Sequence, residues 1–363
     1  MPATPEQAVN AILQDYSDPI LGVELGTAGA IDNLDIAGAV VNLTVRLGFA
    51  AARYGEELSS ALAARLRALS WVREVNVKTR WTVAAPPLSR NLSRIQQVKN
   101  IVAVASGKGG VGKSTTAVNM ALGLAYEGAA VGLLDADIYG PSQPRMFGLS
   151  GERPTTKNGK TLQPLAAYGV KVMSIGFLID EEQPMVWRGP MVTQALNQLL
   201  FDCEWGELDY LVVDMPPGTG DIQLTLAQRV PVSGAVIVTT PQDIALLDAR
   251  KGLKMFQKVD VPVLGIVENM STHVCSKCGH EEHIFGAGGG RRMAEQYGVE
   301  VLAELPLDMR IREDADGGKP TVVTDPEGTL GRAYIDMARR VASRLWRSSL
   351  KATAFPEIVA EAT

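Results

Sequence analysis

Short apolar runs alternate with helical patterns over the last two thirds of the chain. Seven of these runs are almost wholly apolar, as expected of strands that are buried on both faces. They cover residues 101–105, 131–134, 170–175, 210–213, 235–239, 263–267 and 299–305. Because helical segments separate them, the pattern predicts an α/β domain with a doubly wound, mostly parallel sheet over residues 100–345.

The N-terminal quarter has a different pattern. Helical spacing over 4–14 and 56–69, with alternation over 36–47 and 75–83, predicts a small α+β domain over residues 1–85. It contains no phosphate loop, metal cluster or nucleophile constellation, so we interpret it as a docking or regulatory module. A polar stretch that begins with two prolines, 86–99, suits a linker, and 346–363 follow a predicted final helix as a tail.

Composition narrows the possible partners. The 363 residues carry a net charge of −5, which argues against nucleic acid because phosphate contacts need a basic face. The chain has no run of about 18 apolar residues, so no membrane span is predicted. The start of the chain lacks the features of a signal peptide. The tail has few cations, so we expect no membrane partner and a cytoplasmic protein. Three cysteines cannot form a disulfide framework.

The strongest motif is a glycine-rich loop. Residues 106–115 read Ser-Gly-Lys-Gly-Gly-Val-Gly-Lys-Ser-Thr between a predicted strand and a predicted helix, the context of a Walker A phosphate loop. Its glycines let backbone N–H groups surround an anion. Lys113 would reach the β- and γ-phosphates, and Ser114 would offer its hydroxyl to Mg²⁺. The predicted nucleotide-binding positions in the loop are Gly107, Lys108, Gly109, Gly110, Val111, Gly112, Lys113, Ser114 and Thr115.

Acidic residues follow two of the predicted strands. Asp135 and Asp137, two residues apart, could orient a water or bind Mg²⁺ indirectly, or either could cap a turn. Asp214 follows four apolar residues, which indicates the Walker B aspartate that holds Mg²⁺. The Pro- and Gly-rich loop after it includes Gly218 and could present an N–H to a γ-phosphate.

A second cluster has the composition of a metal site. All three histidines and two of the three cysteines lie within eleven residues, at His273, Cys275, Cys278, His280 and His283. One hypothesis is a zinc site within one chain, formed by both cysteines and two histidines. The other is half a site, completed by a two-fold partner so that four thiolates hold a [4Fe–4S] cluster. A metal-free redox thiol pair is a third possibility. The remaining cysteine, at position 203, has no partner in sequence and is interpreted as structural.

The loop has a lysine in addition to Lys113. This additional lysine, Lys108, lies next to the first glycine, and with it the loop resembles the deviant Walker A loops of the SIMIBI ATPases, which include the MinD/ParA ATPases and the nitrogenase iron protein. The strings 137–144 (Asp-Ile-Tyr-Gly-Pro-Ser-Gln-Pro), 214–221 (Asp-Met-Pro-Pro-Gly-Thr-Gly-Asp) and 267–270 (Val-Glu-Asn-Met), with Cys275-x-x-Cys278, resemble the Mrp/ApbC iron–sulfur cluster carriers over about 100–345. Residues 1–85, with Asp18-Pro19, resemble more loosely the small N-terminal domain of the same family, which is of the iron–sulfur assembly type.

The resemblance implies a homodimeric, Mg²⁺-dependent ATPase that carries a [4Fe–4S] cluster and transfers it to apo-proteins, with cluster scaffold proteins as further partners. In this scheme Lys108 reaches the partner's phosphates and Asp137 positions the attacking water. Cys275 and Cys278 supply half of the cluster ligands. The remaining roles concern the nucleotide: Thr115 touches the α-phosphate, Asn269 reads the adenine edge, and Pro306 and Asp308 lie near the base.

Two rival functions also fit the motifs. One is a nucleotide switch of the MinD/ParA kind that recruits partners and has a zinc-stabilised loop. The other is an electron-transferring reductase whose cluster changes redox state without leaving.

Overall fold

The computed structural model describes residues 4–86, 95, 97–157, 159, 161–179 and 189–353. Most of the predicted linker and the last ten residues of the chain lie outside these ranges. The chain divides into two compact units. The smaller unit is formed by Met1–Pro87, Tyr126–Gly128 and Ala342–Thr363, and the larger by Leu88–Ala125 and Ala129–Val341.

The smaller unit is an α+β fold on a three-stranded sheet. Its elements are α1 (Pro5–Asp15), β1 (Ile31–Ala37), β2 (Val40–Leu47), α2 (Ala52–Arg67) and β3 (Glu74–Trp81). β1 is antiparallel to β2, and β2 is parallel to β3 with α2 as the crossover. The prediction of one strand over 36–47 is wrong, because the chain turns at Gly38 (φ +63°) and forms a hairpin. Most of β1 was not predicted, because its sequence, Ile-Asp-Asn-Leu-Asp-Ile-Ala, does not alternate regularly between apolar and polar residues.

Asp18 of the acidic-proline pair has a structural role in this unit. Its buried carboxylate Oδ1 accepts hydrogen bonds from the backbone N–H groups of Ile20 (2.9 Å) and Leu21 (2.8 Å). The hydroxyl of Tyr54, on α2, donates to the same oxygen. Asp18 therefore fixes the loop before β1 against α2.

The larger unit has twelve strands among its described residues, eight in a main sheet and the other four in two small antiparallel pairs. Its strands are β4 (Val98–Ser106), β5 (Val131–Asp135), β6 (Thr156–Lys157), β7 (Thr161–Leu162), β8 (Leu165–Ala167), β9 (Val170–Ser174), β10 (Leu208–Asp214), β11 (Gly234–Thr239), β12 (Val263–Glu268), β13 (His273–Val274), β14 (Glu281–Glu282) and β15 (Val301–Glu304). Its helices are α3 (Lys113–Tyr126), α4 (Gln143–Met146), α5 (Gly189–Phe201), α6 (Asp221–Arg229), α7 (Asp243–Lys258), α8 (Gly289–Tyr297), α9 (Met309–Asp316), α10 (Thr321–Thr324) and α11 (Thr329–Thr353), the last of which continues into the smaller unit.

The main sheet confirms the predicted fold class. Its order is β15-β12-β11-β4-β10-β5-β9-β8, and all neighbours are parallel except β8 and β9. The seven predicted strands all belong to it. β8 was not predicted because it has only three residues, and its edge position needs no continuous apolar run.

The sheet order decides where a ligand would bind. β4 is central, with β11 on one side and β10 on the other, and β5 lies beyond β10. The carboxyl ends of β4, β10 and β5 are therefore adjacent, and ligands of doubly wound folds bind at such ends. These three strands lead into the phosphate loop, Asp214 and Asp135.

The prediction of a tail from residue 346 is wrong for residues 346–353, because α11 continues to Thr353, and residues 354–363 lie outside the described residues. Trp346 is buried, its ring lies 5.8 Å from that of Phe49, and it covers Gly48, where a Cβ would collide with it. The guanidinium of Arg347 donates to the backbone oxygen of Leu21 at 2.7 Å. Packing within the smaller unit thus extends the helix past the predicted end. Among the described residues, no helix combines the length and hydropathy that crossing a bilayer requires.

Candidate nucleotide and metal site

The phosphate loop joins β4 to α3 with the geometry of an anion cradle. Gly110 and Gly112 have φ values of +80° and +82°, which side chains with a Cβ rarely adopt. A Cβ on Gly107 would collide with the backbone of Asp248 on α7. Gly109 and Gly110 face open space. The loop therefore needs glycine for its conformation at Gly112 and for close packing at Gly107.

The Walker A lysine and the Walker B aspartate form a buried ion pair. Lys113 is 6% exposed, Asp214 is fully buried, and the ammonium contacts Asp214 Oδ1 directly. Lys113 Nζ also lies 3.3 Å from Ser114 Oγ. The pairing follows from the sheet, since β4 and β10 are neighbours and both end at this site. The structure thus brings the predicted phosphate lysine and both predicted Mg²⁺ ligands together.

Asp135 supports the loop that follows β5. Its carboxylate accepts hydrogen bonds from the backbone N–H groups of Asp137, Ser142 and Gln143, each at 3.1 Å, and from the Ser174 hydroxyl at 3.1 Å. Burial, reinforced by the charge of Asp214, raises the pKa of Asp135 to about 7. Asp135 therefore fixes the backbone of this loop.

Asp137, the predicted water-positioning residue, is partly buried at the same edge of the sheet. Burial raises its pKa, and the nearby Lys113 charge opposes the shift. An acid close to both the Lys113 ammonium and the phosphate loop is suitably placed to orient a water. The role itself stays a prediction.

Gln143, at the start of α4, is a site residue that the sequence analysis missed. Its side chain is fully buried, and Nε2 donates to Asp214 Oδ2 at 2.8 Å and to the Ser114 backbone oxygen at 3.1 Å. No motif marks this residue. The one available signal is an uncharged polar residue inside a string that follows a strand end, and this signal is weak.

Lys108 lies at the rim of the site. The Ser106 hydroxyl donates to the Lys108 backbone oxygen at 2.8 Å. The ammonium of Lys108 is 3.4 Å from Oε1 of Gln242, which precedes α7. This contact is long, and the lysine is half-buried. Its action on a partner's phosphates stays a prediction.

The loop after Asp214 is tied to the phosphate loop. Gly218 has a φ of +99°, and its N–H donates to the Ser106 backbone oxygen at 2.9 Å. The side chain of Gln223 donates to the Pro217 backbone oxygen at 2.5 Å. The Gly218 N–H is thus engaged by the chain itself, and it must leave Ser106 before it can reach a γ-phosphate.

The residues predicted around the base differ in their surroundings. Asn269 is buried and its Nδ2 donates to the Val111 backbone oxygen at 2.9 Å, so in this structure it braces the phosphate loop. Asp308 caps α9 and forms an ion pair with Arg310 at 2.8 Å, which lowers its pKa. Pro306 lies just after β15, and Thr115 in the first turn of α3.

The two cysteines occupy the turn of a small hairpin. β13 and β14 pair antiparallel, and the turn is closed by bonds from Cys275 N to His280 O (2.9 Å) and from Gly279 N to Cys275 O (2.8 Å). The backbone N–H groups of Cys278 and Lys277, with the Cys278 thiol, lower the pKa of the Cys275 thiol. Cys278 is exposed. Backbone donors around a sulfur that favours the thiolate suit a metal or cluster ligand.

Two histidines of the segment, His273 and His283, form hydrogen bonds with backbone oxygens outside the turn. Nδ1 of His273 is 2.9 Å from the Leu307 backbone oxygen, and Nδ1 of His283 is 2.8 Å from that of Ser271. His280 Nε2 is 4.0 Å from Glu282. Within the described residues, no three His, Cys, Asp or Glu side chains are arranged to hold a metal ion. The ligand geometry of the single-chain zinc hypothesis is therefore not found among these residues, and the hairpin of one chain offers two thiols.

Cys203 is buried just after α5, where it forms an isolated β-bridge with Leu162. Burial raises its pKa to about 12, with Lys171 opposing the shift. A buried thiol that resists ionisation agrees with the structural interpretation.

Comparison with protein-family models assigns both parts of the chain. Residues 97–342 match the model of the NUBPL iron-transfer P-loop NTPases. Residues 6–78 match a model described as iron–sulfur cluster assembly protein.

Individual relatives agree with these models. An iron–sulfur cluster carrier protein from Haemophilus influenzae is 49% identical over 349 residues, covering 96% of this chain and 94% of the relative. A nucleotide-binding protein from Archaeoglobus fulgidus, solved with ADP, is 39% identical with a TM-score of 0.56 and covers 62% of this chain and 89% of that chain. The cell division ATPase MinD of Pyrococcus furiosus, at 21% identity and a TM-score of 0.51, covers 67% of this chain and 98% of that chain and shares the fold. The resemblance stated from the motifs is confirmed, and the chain belongs to the family of NUBPL iron-transfer P-loop NTPases.

Proposed function

We propose that the protein is an ATP-dependent carrier that binds a [4Fe–4S] cluster between two copies of the chain and transfers it to apo-proteins. The observation that carries this proposal is the Cys275–Cys278 turn, with its lowered Cys275 pKa, in the same unit as a complete phosphate site. The H. influenzae relative is named as an iron–sulfur cluster carrier, which supports the same cargo.

The chemistry of the cluster requires a second copy. A [4Fe–4S] cluster is held by four thiolates, and the turn supplies two. A two-fold axis through the cluster would bring the same pair from the partner, since such an interface uses one patch on both subunits. A cluster held at a surface turn by two chains is accessible to an acceptor, which suits transfer.

The surface near Lys108 supports a self-association face. Gln242, the contact of Lys108, leads into α7, whose first turns expose Ile244 (70%) and Leu247 (53%). A Cβ placed on Gly286, after the cysteine hairpin, would lie 4.0 Å from Pro241, the residue before Gln242. Apolar side chains exposed beside a lysine expected to act in trans are consistent with a second copy at this face.

The phosphate site fits Mg²⁺-ATP. The glycine cradle and Lys113 would bind the triphosphate, with Thr115 at the α-phosphate, as ADP binding by the A. fulgidus relative suggests. Ser114 and Asp214 would hold Mg²⁺, for which a hydroxyl and a carboxylate oxygen are suitable ligands. Mg²⁺ bound there would neutralise charge on the β- and γ-phosphates. Asn269, Pro306 and Asp308 would contact the base.

The ion pair indicates how nucleotide binding changes the site. The phosphates would compete with Asp214 for the Lys113 ammonium, and the released carboxylate would turn to Mg²⁺. Asp137 would orient the water that attacks the γ-phosphorus, while the partner's Lys108 would stabilise the developing charge. Loss of the γ-phosphate would return the Gly218 N–H to Ser106, so hydrolysis would reset a loop at the dimer face.

Anaerobic reconstitution with iron and sulfide tests the cargo. The expected result is the broad visible absorbance of an iron–sulfur cluster, lost in Cys275→Ala and in Cys278→Ala and retained in the matched control Cys203→Ala. The loaded protein should activate an apo-dehydratase that requires a [4Fe–4S] cluster. A full cluster in both hairpin variants, or one zinc per chain in place of iron and sulfide, would contradict the proposal.

ATP turnover tests the role of Lys108. Removing a cation that stabilises transition-state charge in trans should lower turnover by about 10³-fold or more, with the fold retained by circular dichroism. Lys251→Ala, which removes an exposed lysine of α7, is the control. Wild-type turnover in Lys108→Ala would exclude the action in trans.

A further inference from the structure

Gln143 occupies a position that the nucleotide mechanism above does not use. It is fully buried, and its Nε2 contacts Asp214 Oδ2 (2.8 Å) and the Ser114 backbone oxygen (3.1 Å). The two residues it contacts are the ones proposed to hold Mg²⁺. One amide therefore links both sides of the metal site.

The orientation of this amide is fixed by its partners. A carboxylate and a carbonyl oxygen can only accept hydrogen bonds, so the nitrogen of Gln143 must face Asp214 and Ser114. The oxygen Oε1 belongs to the same planar group and lies within a few ångströms of Asp214. Oε1 is buried without a hydrogen-bond partner among the described residues.

A second oxygen close by shares this property. The hydroxyl of Ser142, the preceding residue, is also buried and has no hydrogen-bond partner in the described part of the chain. Leaving a buried polar atom without a hydrogen-bond partner is unfavourable, and such atoms are few in native proteins. Two of them in consecutive residues, one of which contacts Asp214 through its own amide nitrogen, indicate that the site is built for a further donor.

The backbone holds both oxygens in place. The N–H groups of Ser142 and Gln143 donate to Asp135 Oδ2, each at 3.1 Å. Asp135 is itself buried at the end of β5. The segment that presents these oxygens is thus fixed before any ligand binds.

We propose that Gln143 is a positioning residue for the Mg²⁺–nucleotide complex. Its Nε2 holds Asp214 through Oδ2, and its Oε1 accepts a hydrogen bond from a water bound to Mg²⁺, with Ser142 Oγ as a second acceptor. A neutral amide suits this place, because it supplies a donor to Asp214 and an acceptor to water without adding a third buried carboxylate to Asp135 and Asp214. The inference rests on the proposed Mg²⁺-nucleotide function.

Metal binding to the full-length protein tests this role. The affinity of the protein–ADP complex for Mn²⁺ is measured from the EPR signal of free Mn²⁺, and the affinity for fluorescent ADP is measured separately in EDTA. The variants are Gln143→Met, which keeps the length of the side chain, and Gln143→Asn, which cannot span both partners. Gln257→Met, at an exposed position of α7, is the control.

We expect both Gln143 variants to lose at least about tenfold in Mn²⁺ affinity, the range for residues that support metal ligands. The metal-free ADP affinity should stay within about twofold of wild type, because the phosphate loop and Lys113 are retained. Unchanged Mn²⁺ affinity in both variants would overturn the inference. So would a parallel fall in both affinities, which indicates a merely structural role. Failure of the wild type to bind ADP would instead refute the nucleotide function, and this inference with it.

Discussion

At the scale of single residues, the site is organised around the buried pair of Lys113 and Asp214. The pair places a positive and a negative group together where water is excluded, so the burial of each charge is compensated by the other charge. In the proposed function, an anion that binds Lys113 would have to compete with Asp214 for the ammonium. Stability and nucleotide binding would then be coupled through these two side chains.

This coupling predicts a cost for breaking the pair. Lys113→Met leaves a buried carboxylate without its counterion and should lower the free energy of unfolding by about 3–5 kcal/mol. Adding Asp214→Asn should restore much of it, because the unpaired charge is then gone. Urea unfolding of the nucleotide-free proteins measures both effects, with Lys108→Met as the control at a more exposed lysine. A double variant no more stable than Lys113→Met would contradict this account of the pair.

The sequence could name most of these residues but not their contacts. Strand ends and glycine spacing locate Lys113, Asp135 and Asp214, since these depend on local pattern and on the sheet. The contact of Asn269 with Val111 joins residues 158 positions apart, so no local pattern encodes it. Gln143 was missed for the same reason, because its importance arises only where β5 and β10 meet.

At the scale of elements, the thiols of the cysteine hairpin differ from the buried thiol of Cys203. Cys275 lies in a turn whose N–H groups lower its pKa, whereas burial raises that of Cys203 to about 12. The hairpin is short, exposed and held by few hydrogen bonds. Its thiols are therefore available for ligands, while Cys203 belongs to the core.

Alkylation of the reduced, metal-free protein at pH 7.5 should follow this division. A lowered pKa increases the thiolate fraction, and the thiolate is the nucleophile, so Cys275 should react with iodoacetamide well before Cys203. Exposed Cys278 should also be modified, and Cys203 should stay unmodified until urea is added. Peptide mass spectrometry reads the order. Labelling of Cys203 at the rate of Cys275 in the native protein would show that the division is wrong.

The elements show which patterns carry information. Continuous apolar runs located seven strands of the main sheet, because strands that are buried on both faces consist almost wholly of apolar residues. The pattern over 36–47 predicts one strand that joins the end of β1 to β2 and misses the rest of β1, since the polar residues of β1 disrupt alternation and Gly38 alone marks the turn. The short edge strand β8 gave no apolar run at all.

At the scale of the whole molecule, the account depends on two copies of the chain. The described residues supply the two thiolates proposed as cluster ligands and one lysine at the rim of the phosphate site, and a two-fold partner would double both. The end of α11 shows what the sequence could not reveal at this scale. Trp346 is buried against residues near position 48, about 300 positions earlier in the chain, so residues 346–353 of the predicted tail are helix instead.

The stoichiometry of the loaded protein is the most direct test of this claim. Native mass spectrometry of the anaerobically reconstituted protein should show two chains carrying one [4Fe–4S] cluster. Cys275→Ala should remove the cluster from this assembly. A cluster held by a single chain, or two chains that carry one zinc each, would contradict the claim that the cargo is shared across a two-fold interface.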